Sequence, residues 1–346
     1  MTSLADSGAM TAFLLGLGIE PAEPLAITEL TGGVSSRVLN VATADGTVIV
    51  KQALAELRVE RPWAADVARA DVEVDYGRAV HELVPGACPR VIAHDPVAHA
   101  FVMAPAPEGS EPWKAALMRG RVSLDAARKV GRTLGLVHER AARAPGLRER
   151  FADRTHFDAL RVEPYLGDVR DAHPDRAEAI DDVIAFLRSP GETLVHGDVS
   201  PKNILVGPDA DVLLIDHEVA HWGRAAFDTA FVVNHLCLKA IHRPARVEAY
   251  LGAAEALLDA YAEAAPVHGA GRKDTGVVLA PLLLARVDGR SPVEYLDERG
   301  RDQVRAIART CLAEHDRTEG VLGRVRQACA DGRNESTSDT MHEESR

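Results

Sequence analysis

The chain of 346 residues reads as an α+β protein in two lobes, a small β-rich N-terminal lobe and a larger, mainly helical C-terminal one. Three observations lead there. Short apolar, β-branched runs dominate from Ala26 to Met103, and helical periodicity dominates beyond the Pro105-Ala106-Pro107-Glu108-Gly109 stretch. The length is also sufficient for two modest cores. The expected boundaries are 1–104 for the N-terminal lobe, 105–330 for the C-terminal lobe, and 331–346 for a tail. That tail is polar and without periodicity, so it is expected to be disordered.

Residues 1–24 suggest a frayed end and a short amphipathic helix. Strands are expected at Val38–Thr43, Thr47–Lys51, Val91–His94 and Phe101–Met103, with one helix at roughly Trp63–Leu83 between them. Ser123 is placed to cap a helix whose apolar face is Ala127, Val130, Leu134 and Val137. A second helix, from about Pro174, carries Ala177, Ile180, Ile184 and Leu187 at helical spacing. Ala225 to Ile241 is apolar almost all round, as a buried helix requires, and its Asn234 is expected to be a satisfied core amide.

The net charge of −12 argues against a nucleic-acid binder and mildly favours a cationic or neutral substrate. The four cysteines, Cys88, Cys237, Cys311 and Cys329, are far apart, which suggests neither a zinc knuckle nor a disulfide framework. A reducing cytoplasm fits. The run Phe13–Ile19 is short and broken by Gly16 and Gly18, unlike a signal peptide, and no run approaches a membrane span.

The densest chemistry lies in LVHGDVSPKNILVGPDADVLLIDHE, residues 194–218. Ile204–Val206 and Val212–Ile215 flank the turn-like Gly207-Pro208-Asp209-Ala210 and read as a β-hairpin. Pairing of Val206 near Asp211 sets Asn203 opposite Leu214, about one residue pair from Asp216. Asn203 and Asp216 then reach one cation, with Asp198 beside it. A base near a substrate hydroxyl, with an amide and a carboxylate on Mg²⁺, is the equipment of kinase-type phosphoryl transfer.

His196-Gly197-Asp198-x4-Asn203 followed by Ile215-Asp216-x-Glu218 resembles the aminoglycoside phosphotransferase and choline kinase family, which has a protein-kinase-like fold. Asp216-His217-Glu218 and the later Trp222-Gly223…Phe227-Asp228 are similar to its methylthioribose kinase branch. The resemblance runs from about Leu30 to Leu238. It implies ATP (or GTP) as donor, Mg²⁺ as cofactor and a small-molecule hydroxyl as acceptor.

The resemblance also implies roles. Asp198 is the catalytic base; Asn203 and Asp216 are the metal ligands. Gly32, Gly33, Ser35 and Ser36 form a glycine-rich loop on the phosphates, where backbone N–H groups approach closely. Lys51, ending its strand, holds phosphate and needs a counter-ion, for which Glu73 is the choice ahead of Glu56, Glu60 and Glu82. Met103 and Ala104 are the adenine hinge. Ser200 and Lys202, between base and metal ligand, are candidates to touch the transferred phosphate. His196 and Asp228 are expected to brace the catalytic loop. Substrate candidates are Arg161, Tyr165, Glu218, Arg286 and Asp288; the acidic set Asp168, Asp171, Asp175, Asp181 and Asp182 is either an amine attractant or a solvated helix face.

Two other readings compete. His217-Glu218-Val219-Ala220-His221 matches the HExxH zinc-peptidase signature, which needs both histidines on one helical face. Here it follows a β-run directly and meets Gly223, so a helix hardly fits. A nucleotide-binding protein without turnover is opposed by the joint presence of Lys51, Asp198, Asn203 and Asp216. Walker-type chemistry lacks its Gly-x-x-x-x-Gly-Lys-Ser/Thr string.

Overall fold

The computed structural model describes residues 3–30, 35–58, 64–267 and 271–343, the side chains of 271–273 and 332–343 excepted. The chain opens with α1 (Ser7–Gly16), then β1 (Ile27–Glu29), β2 (Ser36–Thr43), β3 (Gly46–Ala53), α2 (Arg69–Leu83), β4 (Val91–Asp95) and β5 (Ala100–Met103). These strands form one antiparallel sheet in the order β1-β2-β3-β5-β4. Val41, Val50, Ala100 and Val102 alternate toward a core shared with Met10 and Leu14 of α1. Fully burying each valine, leucine or methionine among them contributes about 1.5–3 kcal/mol.

Three sequence expectations shift here. Lys51 does not end its strand: β3 runs on to Ala53, so Lys51 is an interior, buried residue paired across from Val38. Helix α2 begins at Arg69 rather than near Trp63, because the Asp66 carboxylate accepts the Ala68 N–H at 2.9 Å and holds a turn there. The short edge strand β1 carries no two-residue alternation long enough to be read.

Beyond Met103 come β6 (Glu111–Pro112), α3 (Trp113–Met118), α4 (Leu124–Arg143), α5 (Leu147–Arg150) and α6 (Thr155–Phe157). A π-helical segment, Asp158–Gly167, leads into α7 (Asp168–Ala172) and α8 (Ala177–Arg188). Then follow β7 (Thr193–Val195), β8 (Ile204–Val206), β9 (Val212–Leu214), β10 (His221–Gly223), α9 (Ala226–His242), α10 (Val247–Ala264), α11 (Gly271–Ala285), α12 (Glu298–Glu314) and α13 (Thr318–Glu343). The helical backbone of α13 thus continues past Asp331, into the stretch expected to be disordered.

Ser123 caps α4, its hydroxyl accepting the Ala126 N–H at 3.2 Å, and Ala127, Val130, Leu134 and Val137 are all fully buried. Helix α4 lies against α10 closely enough that a Cβ on Gly131 would stand 2.0 Å from the Leu257 carbonyl oxygen. Only glycine permits that approach. Helix α9 is buried on all sides, as its sequence predicts, but Asn234 differs from expectation: both of its amide atoms are buried without a hydrogen-bond partner. Among the described residues, no helix is long and apolar enough to cross a membrane, and all four cysteines are buried thiols outside any disulfide.

Candidate active site

The β8–β9 hairpin sets the centre of the site. Val206 pairs with Val212 and Ile204 with Leu214, one residue from the register read off the sequence. Asn203 therefore stands opposite Ile215, whose N–H it binds at 3.0 Å, and nearer to Asp216 than expected. The difference arises because the turn closes on a Gly207 N–H to Asp211 carbonyl bond of 2.8 Å, which takes Asp211 out of the ladder. Asp216 itself has φ of 66°, a left-handed conformation that aspartate tolerates better than most residues.

The catalytic loop precedes the hairpin. Gly197 has φ of 81°, and a Cβ there would meet Val219 Cγ2 at 2.8 Å. The Asp228 carboxylate, at the start of α9, accepts the backbone N–H groups of His196 and Gly197, each at 2.8 Å. His138 Nε2 lies 3.2 Å from the same carboxylate. His196 accepts the Asp198 N–H on Nδ1 at 3.2 Å, so its proton sits on Nε2, toward the Ile215 carbonyl at 3.1 Å. Burial pushes the His196 pKa down, in keeping with a neutral ring. These bonds brace the loop, the role expected of both residues.

Asp198 is almost fully buried. Its Oδ2 accepts hydrogen bonds from Arg161 Nη2 at 2.7 Å and Asn203 Nδ2 at 2.8 Å, with Lys202 Nζ 3.6 Å away. Arg161 reaches it from the π-helical segment. There Pro164 supplies no N–H, and the turn widens so that the Asp168 N–H bonds the Glu163 carbonyl. Arg161 and Tyr165 thereby share a face, the guanidinium 6.0 Å from the Tyr165 ring centre. Ser200 Oγ, in the same loop, is buried without a partner.

On the sheet side, Lys51 Nζ binds Glu73 Oε1 at 2.7 Å and Asp216 Oδ1 at 2.6 Å. Burial opposes the charge on Lys51, yet Asp216, Glu73 and Glu218 together raise its pKa. Burial lifts the Glu73 carboxyl to about 7 against the pull of Lys51. Asp216 is held well below the usual carboxylate range, burial being outweighed by Lys51 and Lys202. Glu218 Oε2 takes a 3.0 Å bond from the fully buried Arg69 Nε. Arg69 also donates to the carbonyls of Ser35 and Leu54. Ligand atoms of Glu73, Asp216 and Glu218 lie within 4.8 Å of one another. Carboxylate oxygen donors of this kind suit a hard divalent ion.

The remaining expected residues fall as follows. Ser35 and Ser36 are buried at the start of β2, while Gly32 and Gly33 lie outside the described residues. Met103 ends β5, and the Ala104 N–H is engaged by the Arg90 carbonyl at 2.9 Å. Arg286 donates to the Tyr165 hydroxyl at 3.1 Å and so joins Arg161 around that ring. Asp288 is drawn elsewhere, to Arg305 at 2.9 Å and His173 at 2.9 Å. The HExxH run is a turn entering β10: His221 stacks on Phe157 at 3.9 Å and His217 packs on Tyr76 at 4.4 Å, so the pair shares no helical face.

A sheet-borne Lys–Glu pair over an aspartate, an asparagine and a second carboxylate defines a kinase-like phosphotransferase site. The model of the phosphotransferase enzyme family (APH) matches residues 26–267, and the chain belongs to that family, whose acceptor is a hydroxyl group. No curated protein matches the sequence. A choline/ethanolamine kinase family protein from Mesorhizobium loti superposes with a TM-score of 0.50 at 16% identity, over 87% of this chain and 92% of that one. A macrolide 2'-phosphotransferase from Brachybacterium faecium gives 0.49 at 18% identity, over 93% and 97%. An aminoglycoside phosphotransferase from Alicyclobacillus acidocaldarius gives 0.46 at 17% identity, over 88% and 93%. At these identities the first likeness speaks for the fold alone.

Proposed function

We propose that the chain is a small-molecule kinase that transfers the γ-phosphoryl group of ATP, or GTP, to a hydroxyl of a sugar or sugar-containing compound. The observation that carries this reading is the pairing of Asp198 with Asn203 at 2.8 Å on one side of the hairpin and of Asp216 with Lys51 at 2.6 Å on the other. Base, amide, carboxylate and lysine thus meet between sheet and helices.

The acceptor oxygen attacks the γ-phosphorus as the bond to the β-phosphate oxygen breaks and the nucleoside diphosphate leaves. Asp198 Oδ1, which carries no hydrogen bond among the described residues, orients the hydroxyl and takes its proton, which then passes to solvent. Oδ2 stays on Arg161 and Asn203, so the carboxylate cannot rotate away. Lys51 binds donor phosphate oxygens, and Glu73 keeps the ammonium in place. Asp216 and Asn203 would hold Mg²⁺, with Glu218 adjacent; when bound, the ion neutralises charge that develops on the phosphates.

Among acceptors, a thioribose-like sugar comes first, then an aminoglycoside, macrolide or nucleoside antibiotic, then choline or another amino alcohol. The thioribose preference rests on Asp216-His217-Glu218 alone. ADP release from MgATP across a panel of sugars, aminoglycosides and nucleosides tests the reading. Acceptor-dependent release that vanishes in Asp198→Asn supports it, and nucleotide binding with no turnover on any acceptor overturns it.

A further inference from the structure

A cationic acceptor needs a carboxylate wall, and four of the five acids expected to supply one are paired with arginines. Asp168 bonds Arg290 at 3.3 Å, Asp175 bonds Arg309 at 2.7 Å, and Asp171 and Asp181 share Arg170 at 3.0 and 3.4 Å. Cations are what is left over beside the base. Arg286 donates from Nη1 to Tyr165 and Ser291, each at 3.1 Å, while its buried Nε has no partner. Among the described residues it has no carboxylate partner.

Arg286 sits 5.7 Å from the centre of the same Tyr165 ring that Arg161 approaches at 6.0 Å. Arg161 in turn holds Asp198 at 2.7 Å. Tyr165 and Arg161 therefore link Arg286 to the base by successive contacts. Tyr165 packs on Phe231 of α9 at 5.7 Å, and Phe231 on His235 at 5.6 Å. One turn further on, Lys239 is 1% exposed, lies 5.2 Å over the Tyr295 ring, and also lacks a carboxylate partner among the described residues. Lys114, the other neighbouring ammonium, is balanced by Glu294 at 2.6 Å. Glu294, the carboxylate whose charge reaches Arg286 and Lys239, is already bonded to Lys114, so the positive groups outnumber it, and an arriving anion would offset the cost of burying them.

We propose that the acceptor carries a phosphate or carboxylate group in addition to the hydroxyl that is phosphorylated, and that Arg286 binds this anionic group. The proposal rests on the kinase reading for the direction of the acceptor hydroxyl, which points to Asp198, and replaces the cationic preference suggested by the net charge.

The test is calorimetric titration of the protein, saturated with MgADP, by D-ribose 5-phosphate, D-gluconate, D-ribose and D-glucosamine. At least one of the two anions is expected to bind about tenfold or more tightly than ribose, with glucosamine weakest, as charge-assisted bonds are stronger than neutral ones. Which anion wins separates a phosphate from a carboxylate ligand. Arg286→Gln should bring that anion to the ribose level with MgADP affinity retained, and Arg286→Lys should keep part of the preference. Glucosamine binding tightest, anions binding no better than ribose, or an undiminished preference in Arg286→Gln each overturns the proposal. The kinase reading fails separately, through ADP release that does not depend on Asp198.

Discussion

Arg161 Nη2 and Asp198 Oδ2 are 2.7 Å apart in a buried pair, so the proposed base is anchored by a guanidinium from a π-helical turn rather than by its own loop alone. Such a charge-assisted bond fixes orientation as well as energy. One carboxylate oxygen is committed and the other has no hydrogen bond among the described residues.

Replacing Asp198 by Asn should lower kcat by roughly 10²–10⁴-fold while MgATP affinity is nearly retained. Steady-state kinetics beside nucleotide titration checks both halves. A variant that keeps more than about a tenth of the wild-type rate removes Asp198 from the role of base.

Asp216→Ala should remove the Mg²⁺ dependence of nucleotide binding, because Asn203 and Glu218 alone offer a poorer set of oxygens. ATP titrations with Mg²⁺ and with a chelator should then coincide. An undiminished Mg²⁺ effect would place the ion elsewhere.

Lys239 carries a pH signature of its own. Burial, then the charges of Lys114 and Arg286, hold its pKa at about 7, with Glu294 the opposing carboxylate and with His235 and Tyr295 packed beside it. An unfolded lysine titrates near 10.5, so between those values the unfolded chain binds a proton that the folded chain lacks. Stability should therefore increase with pH from about 7 toward 10.5, and the full cost of the buried charge should be present below about 7. Lys239→Met should raise the melting temperature at pH 7 and flatten that slope. A variant no more stable than wild type, with the slope unchanged, refutes it.

Gly131→Ala should destabilise the chain by more than the about 1–3 kcal/mol typical of overpacking, since the new methyl would sit 2.0 Å from a backbone oxygen and not from a movable side chain. Denaturant unfolding reads the loss. A neutral result would mean that α4 and α10 separate easily.

Asp228→Ala strands the N–H groups of His196 and Gly197 inside the protein, each at a cost of about 1–3 kcal/mol. Lower stability and lower kcat together are expected. Lost stability with kcat intact would show that the loop holds its shape without this brace.

The parts of the site that were legible in the sequence are those whose members are close in the chain. Asp198, Asn203 and Asp216 fall within one loop and hairpin, so turn residues and β-branched runs were enough to bring them together, with the register off by one at Asp211. Lys51 was found by resemblance, and its Glu73 partner by the need for a counter-ion. What stayed hidden depends on long-range packing. Nothing local in Arg69 announces a bond to Glu218, 149 residues away. Arg161 read as an acceptor contact, because the π-helical widening at Pro164 that turns it onto Asp198 has no periodicity signal. Lys239 lay inside an apolar helix whose sequence shows burial but not the sign of its surroundings.

The buried Arg69 side chain ties the rim of the sheet, through Ser35 and Leu54, to the segment just past Asp216, through Glu218. Prying the jaws of the enzyme apart at that corner would strip a guanidinium of several partners at once. That corner is thereby stapled, since a buried guanidinium deprived of its acceptors carries a full desolvation cost.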